Sequence, residues 1–171
     1  EAHVVERALD SVINFITHLY VCDTGSTDGT QQLIKDYIKK HKLRGRVVNR
    51  PWVNFSHNRN EAFALAKGKC DYLMTLDADE MLIPMDEKKD QPAYDQVIKE
   101  LPEFTADMIE IYSITGTTRY TRPQFFKESV EWLWRKPLHE YCMAKDGKCS
   151  KQTLSSMCNW PRPEGARSKK S

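Results

Sequence analysis

Two aspartates set one residue apart, Asp77 and Asp79 in Leu76-Asp77-Ala78-Asp79-Glu80, are the pair best suited to hold a hard cation. In an extended segment residues i and i+2 point to the same side, so the two carboxylates face one ion together. Magnesium takes one or two carboxylates and completes its shell with water and substrate phosphates. The apolar run Tyr72 to Leu76 ahead of the pair reads as a strand. The carboxyl end of a strand is where open α/β sheets bind ligands. A solvated acidic turn is the plainer alternative.

Three further sites carry usable chemistry. Asp23 ends the β-prone run His18 to Asp23, where a carboxylate can accept from a base N–H or from ribose hydroxyls; its alternative is a turn that closes on Gly25. Thr27, Asp28 and Thr30, just ahead of a helix, are expected to satisfy its free N–H groups. Arg59, in Ser56-His57-Asn58-Arg59-Asn60-Glu61, is placed in the first turn of a helix, with Asn58 and Glu61 spaced as cap and reciprocal partner. A cation there opposes the helix dipole, so Arg59 is expected to serve an anion such as a diphosphate, or else to pair with Glu61 or Glu80. In Glu131 to Tyr141 (EWLWRKPLHEY), Trp132 and Trp134 share a strand face, and His139-Glu140 offers a base for a hydroxyl group. Met143 breaks the HExxH pattern of zinc proteases.

The elements that must hold these residues alternate. Val4, Val5, Ala8, Leu9, Val12 and Ile13 recur at helical spacing; the strand at His18 follows, then a helix on Leu33, Ile34, Tyr37 and Ile38. A strand around Val47-Val48, a helix that stops at Gly68 and the strand Tyr72 to Leu76 complete the pattern, which predicts an α/β fold with a mostly parallel sheet flanked by helices. After Pro84 come a charged stretch (Asp86 to Asp90), a helix near Tyr94 to Leu101 and a β-rich half. Its strands are expected around Met108 to Ile114, Arg119 to Phe126, Val130 to Trp134 and Leu138 to Cys142. We expect one domain with two unlike halves, residues 1–84 and 85–160, and residues 161–171 as a mobile tail. The chain opens on a helix, so a first strand is expected to be missing upstream of Glu1, and the domain to be part of a longer chain.

Composition narrows the class. The 171 residues are 40% hydrophobic and 29% charged, as in ordinary globular domains. With 26 Lys+Arg against 24 Asp+Glu the net charge is +2, so nothing suggests a nucleic-acid binder that tracks phosphates by bulk charge. No apolar run approaches the roughly 20 residues of a membrane span. Five cysteines without a CxxC pair argue for a reducing, cytoplasmic setting.

Together, Val21 to Thr30 (VCDTGSTDGT), Arg50 to Ala62 (RPWVNFSHNRNEA), Tyr72 to Glu80 (YLMTLDADE) and Trp134 to Tyr141 (WRKPLHEY) resemble, in order and spacing, the family 2 glycosyltransferases of the GT-A fold. The resemblance implies a metal-dependent enzyme that moves a sugar from a nucleotide sugar, a UDP-sugar first of all, to a hydroxyl on a glycan, lipid or protein, with inversion. It implies that Asp23 contacts the base and Arg59 the nucleotide and its phosphates. Asp77 and Asp79 would form the DxD motif, Asp79 as the direct ligand of Mn²⁺ or Mg²⁺ and Asp77 nearer the ribose. Glu140 would be the base, with His139 beside it to orient it or bind phosphate, and Arg167 a phosphate contact. Relatives often add a late histidine as metal ligand, and no histidine follows His139. A nucleotidyltransferase on a similar scaffold, and a non-catalytic glycan- or nucleotide-binding descendant, are the other readings.

Overall fold

The computed structural model describes residues 1–85 and 97–161. Helix α1 (Val5–Asp10) buries Val5, Ala8 and Leu9, and Ser11 just after it pins the helix to a distant strand. The Ser11 hydroxyl donates to Ala8 C=O at 2.6 Å and accepts the Leu82 N–H at 3.1 Å. Strand β1 (His18–Asp23), helix α2 (Thr30–Lys40) and strand β2 (Arg44–Asn49) form a parallel β-α-β unit, with His18 opposite Arg44 and Asp23 opposite Asn49. Ile34 and Tyr37 of α2 pack with Val5 and Leu9 of α1 over Leu19, Val21 and Val47. The Tyr37 hydroxyl donates to Asp10 at 2.8 Å, and burial together with that carboxylate pushes the phenol above its usual range. Asp28 Oδ1 accepts from the Thr30 N–H at 3.2 Å and from its hydroxyl, so it satisfies one free N–H at the start of α2, whose cap position is Gly29 without a side-chain cap bond.

Gly45 shows why these two strands can lie so close. Its φ is 136°, and a Cβ there would fall 1.9 Å from the Leu19 carbonyl oxygen. Only glycine suits that backbone and that space.

Helix α3 (Phe55–Ala66) is capped by Asn54, whose side chain accepts the His57 N–H at 2.8 Å. Strands β3 (Tyr72–Met74), β4 (Glu80–Pro84), β5 (Met108–Thr115), β6 (Thr118–Lys127) and β9 (Lys151–Pro161) build one mixed sheet in the order β3-β6-β5-β9-β4. Strands β7 (Trp132–Arg135) and β8 (Tyr141–Ala144) make a separate antiparallel hairpin. One face of the five-stranded sheet carries Ile109, Ile111, Phe125, Leu154 and Met157 against Val12 and Val97. The other carries Leu73, Met108 and Phe126 against Phe63 of α3 and the tryptophans of the hairpin.

The expected mostly parallel sheet is corrected by this topology. Among the described residues only β1–β2 and β5–β9 pair in parallel; the other pairs are antiparallel. The physical reason lies in the connections. A tight hairpin joins the neighbours β5 and β6, where parallel pairing would need a crossover of a dozen residues or more. The large sheet also takes strands from both sides of residue 84. Residues 97–100 are helical and run into a 3-10 turn at Leu101–Glu103, while the start of the helix expected from Tyr94 lies outside the described residues. So do the charged stretch Asp86 to Asp90 and the tail after Pro161. No helix among the described residues is long and apolar enough to cross a membrane.

Candidate active site

The Asp77–Asp79 segment is a turn rather than a strand end. Strand β3 stops at Met74, and the Glu80 N–H donates to Asp77 C=O at 3.0 Å. The two-residue alternation that would place both carboxylates on one side therefore does not operate, which corrects the extended geometry expected for them. Ala78 between them packs on the core of β1, β2 and α2. That small apolar residue anchors the turn and leaves Asp77 43% exposed. Glu80 fastens the turn from below: it is buried, accepts the Asp77 N–H at 3.3 Å and pairs with Arg122 of β6.

Arg59 is the fifth residue of α3, beyond its first turn, because the cap is Asn54 and not Asn58. The dipole argument made for it from the sequence thus does not apply. Asn58 instead sits buried and ties the incoming loop down. It accepts from the Val53 N–H at 3.1 Å and donates to Pro51 C=O at 3.0 Å and to Glu61 at 2.9 Å. Nor does Arg59 pair with Glu61 or Glu80. Its Nε donates to Glu140 Oε1 at 2.8 Å, and its two terminal nitrogens meet the two oxygens of Asp77 at 3.0 Å each. The guanidinium lies 5.0 Å from the Trp134 ring centroid, a cation–π distance. Burial opposes its charge, but Asp77 and Glu140 outweigh burial and hold it above the ordinary arginine range. Arg59 and Glu140 are only 16% and 13% exposed at the side chain.

Sequence reasoning missed what brings the hairpin to this spot. The Asn60 side chain accepts the Trp134 N–H at 2.9 Å and donates to Trp134 C=O at 3.0 Å, completing one strand-like pair between α3 and β7. Phe63, one turn on, meets the same Trp134 ring edge-on at 5.8 Å. Nothing in the Asn-Arg-Asn spacing announces this clamp, since the partner is 74 residues away. Trp134 is at once core and the shelf beneath Arg59.

Asp23 is buried at the end of β1. Its Oδ2 accepts from the N–H groups of Gly25 and Ser26 at 3.1 and 3.0 Å and from Gln31 at 2.8 Å. Burial raises its pKa, but the bonds from Ser26, Gly25 and Gln31 outweigh burial and leave the carboxyl below its usual range. The turn closing on Gly25 is thus real. His139 stands exposed in the β7–β8 loop with φ 53°, and no hydrogen bond joins it to Arg59, Asp77 or Glu140. Arg167 lies outside the described residues. Arg59, Asp77 and Glu140 are therefore brought together, Asp79 sits beside them in the same turn, and Asp23 and His139 stand apart from the ion-pair cluster.

The site fits a divalent cation in donor chemistry only in part. Asp77 and Asp79 supply hard carboxylate oxygens, yet both Asp77 oxygens are held by Arg59. Among the described residues no group of three or more His, Cys, Asp or Glu gathers as a metal cluster. A hollow of about 810 Å³ lined by Asp107, Glu131, Lys145 and Cys149 shares no residue with this cluster.

The sequence matches Glycosyl transferase family 2 over residues 1–148. A TPR repeat-containing protein of Synechococcus elongatus is 31% identical over 147 residues, which is 82% of this chain and 32% of that protein. An uncharacterized glycosyltransferase of Rickettsia bellii is 29% identical over 126 residues, covering 74% of this chain and 39% of its own length. The chain thus spans between a third and two-fifths of these relatives. Among solved structures, that of S. aureus TarS 1–349 aligns with a TM-score of 0.50 and 20% identity over 67% of this chain and 34% of that one. Its complex with UDP aligns at 0.50 and 18% over 68% and 34%. At those identities the likeness speaks to the fold alone.

Proposed function

We propose that this chain, which belongs to glycosyl transferase family 2, is the catalytic domain of an inverting glycosyltransferase that takes a nucleotide-sugar donor and a hydroxyl acceptor. The observation that carries the reading is the convergence of Asp77, Arg59 and Glu140, from three separate elements, around one guanidinium. Each has a distinct task. Glu140 takes the proton from the acceptor hydroxyl as that oxygen attacks the sugar carbon opposite the leaving group. Arg59 donates to the departing diphosphate, a charge-assisted contact suited to its forked geometry. Asp23, oriented by three donors on one oxygen, offers the other to a base N–H or a ribose hydroxyl. Asp77 faces the ribose.

Asp79, with Asp77 beside it, is our choice to hold Mn²⁺ or Mg²⁺, which when bound neutralises charge on the leaving diphosphate. A UDP-sugar is the first donor to try, given the GT-A type of fold and a structural neighbour solved with UDP. His139 stands next to Glu140 in the same loop. Arg167 is our choice for a further phosphate contact. We assign residues 1–84 chiefly to the nucleotide and 85–160 to the acceptor, in a cytoplasmic setting.

The test is donor hydrolysis: a panel of UDP-sugars with Mn²⁺, UDP release followed for wild type, Glu140→Gln and Asp79→Ala. Release by wild type and its loss of 100-fold or more, on the order expected for a missing acid–base group, in Glu140→Gln support the reading. Equal release by both variants and wild type removes Glu140 and Asp79 from the chemistry.

A further inference from the structure

Arg59 holds two carboxylates at once, Glu140 through Nε at 2.8 Å and Asp77 through both terminal nitrogens at 3.0 Å. Those carboxylates come from separate elements. Asp77 comes from the turn after β3, and Glu140 from the β7–β8 loop. An arginine keeps its charge in proteins, so this group can change partners but cannot neutralise. A diphosphate presents the same geometry as a carboxylate to the guanidinium fork and carries more charge. Carboxylates and diphosphate therefore compete for one set of N–H donors.

We propose that Arg59 is an exchange latch that couples the base to the donor. Without nucleotide it clamps Glu140 and Asp77 together. When a nucleoside diphosphate enters, the guanidinium transfers to its phosphate oxygens; Glu140 is released to accept a proton, and Asp77 to meet ribose and metal. The latch rests on the donor-site reading above and adds its regulation: donor binds first, and the base becomes available only then. Three features favour exchange over a permanent strut. The Asp77 end of the clamp is 43% exposed, so ligand can reach it. The Trp134 face supports the guanidinium without depending on either carboxylate. Asn60 and Phe63 fasten the hairpin to α3 independently, so the fold does not need the Arg59–Glu140 bond to hold the loop.

The test asks whether weakening the clamp strengthens nucleotide binding. UDP with Mn²⁺ is titrated calorimetrically into wild type, Glu140→Gln, Arg59→Ala and the double variant, with the fold of each checked by circular dichroism. Glu140→Gln replaces the ion pair by a weaker hydrogen bond to an uncharged acceptor, so UDP binds on the order of fivefold tighter than to wild type. In the Arg59→Ala background the same substitution changes nothing. If wild type binds UDP and Glu140→Gln binds it equally or more weakly, the latch is overturned and the donor site stands. No UDP binding by any folded variant overturns both. As a second measurement, the Nε–H resonance of Arg59 in wild-type protein shifts on adding UDP; a resonance that stays put under saturating UDP also overturns the latch.

Discussion

Arg59 Nε and Glu140 Oε1 lie 2.8 Å apart across 81 residues of sequence, with both side chains largely shielded from water. Breaking a shielded ion pair by removing one partner leaves a charge without compensation. We expect Arg59→Ala to cost about 3 kcal/mol, near the low end for buried pairs. In a chain of this size that lowers Tm by roughly 9 °C. A double-mutant cycle with Glu140→Ala, by thermal denaturation, measures the coupling. A coupling near zero means that the pair contributes nothing net.

Asn60 predicts a different outcome. Asn60→Asp keeps the oxygen that accepts the Trp134 N–H and loses the amide that donates to Trp134 C=O. A partly buried carbonyl then goes unpaired beside a new charge, at a cost of about 2 kcal/mol. Hydrogen exchange at the Trp134 amide should stay protected in Asn60→Asp and speed up in Asn60→Ala. Equal exchange in the two variants would show that the clamp does not hold the hairpin.

Asp23 gives a pH signature. Its carboxyl is held below the usual range in the folded chain, where burial is outweighed by Ser26, Gly25 and Gln31. A depressed folded pKa contributes stability that is present above the unfolded carboxyl value of about 3.9 and lost as pH falls through the folded value. The stability gap between wild type and Asp23→Asn should therefore be widest near neutral pH and shrink as pH falls below about 4. Urea unfolding at a series of pH values reads it. A gap constant from about pH 7 to about pH 2, roughly two units below the unfolded carboxyl value, contradicts the assignment.

Gly45 tests the β1–β2 contact. A methyl group there meets the Leu19 carbonyl at 1.9 Å on a backbone with φ 136°. Gly45→Ala should cost about 3 kcal/mol or more, from overpacking together with backbone strain. Unfolding by urea measures the loss. A variant as stable as wild type would mean that the strands separate at no cost.

Much of the site could be read from the sequence because its residues advertise their chemistry. Asp77, Asp79, Arg59 and His139-Glu140 stand out as charges next to apolar runs, and β1, α2 and β2 announce themselves by alternation and helical spacing. What the sequence withheld was pairing across distance. No local pattern couples Arg59 to Glu140 or Asn60 to Trp134. The longest strand was also hidden. β9 buries Leu154, Met157, Cys158 and Asn159 within Lys151 to Pro161, a stretch with serines, an asparagine and no steady two-residue alternation. It bulges by Ser155, Ser156 and Met157 between the partners of Ile111 and Tyr112, which erases the period a reader would look for. Likewise β4 was concealed because Glu80, its first residue, reads as the end of an acidic turn and not as a buried partner of Arg122.

The central claim is that the cluster around Arg59 and the Asp77–Asp79 turn binds a nucleoside diphosphate with a metal. Calorimetric titration of UDP, with and without Mn²⁺, into wild type and Asp79→Ala tests it most directly. Binding should require Mn²⁺ and disappear in Asp79→Ala. No binding by a demonstrably folded wild type, or equal binding by Asp79→Ala, contradicts it.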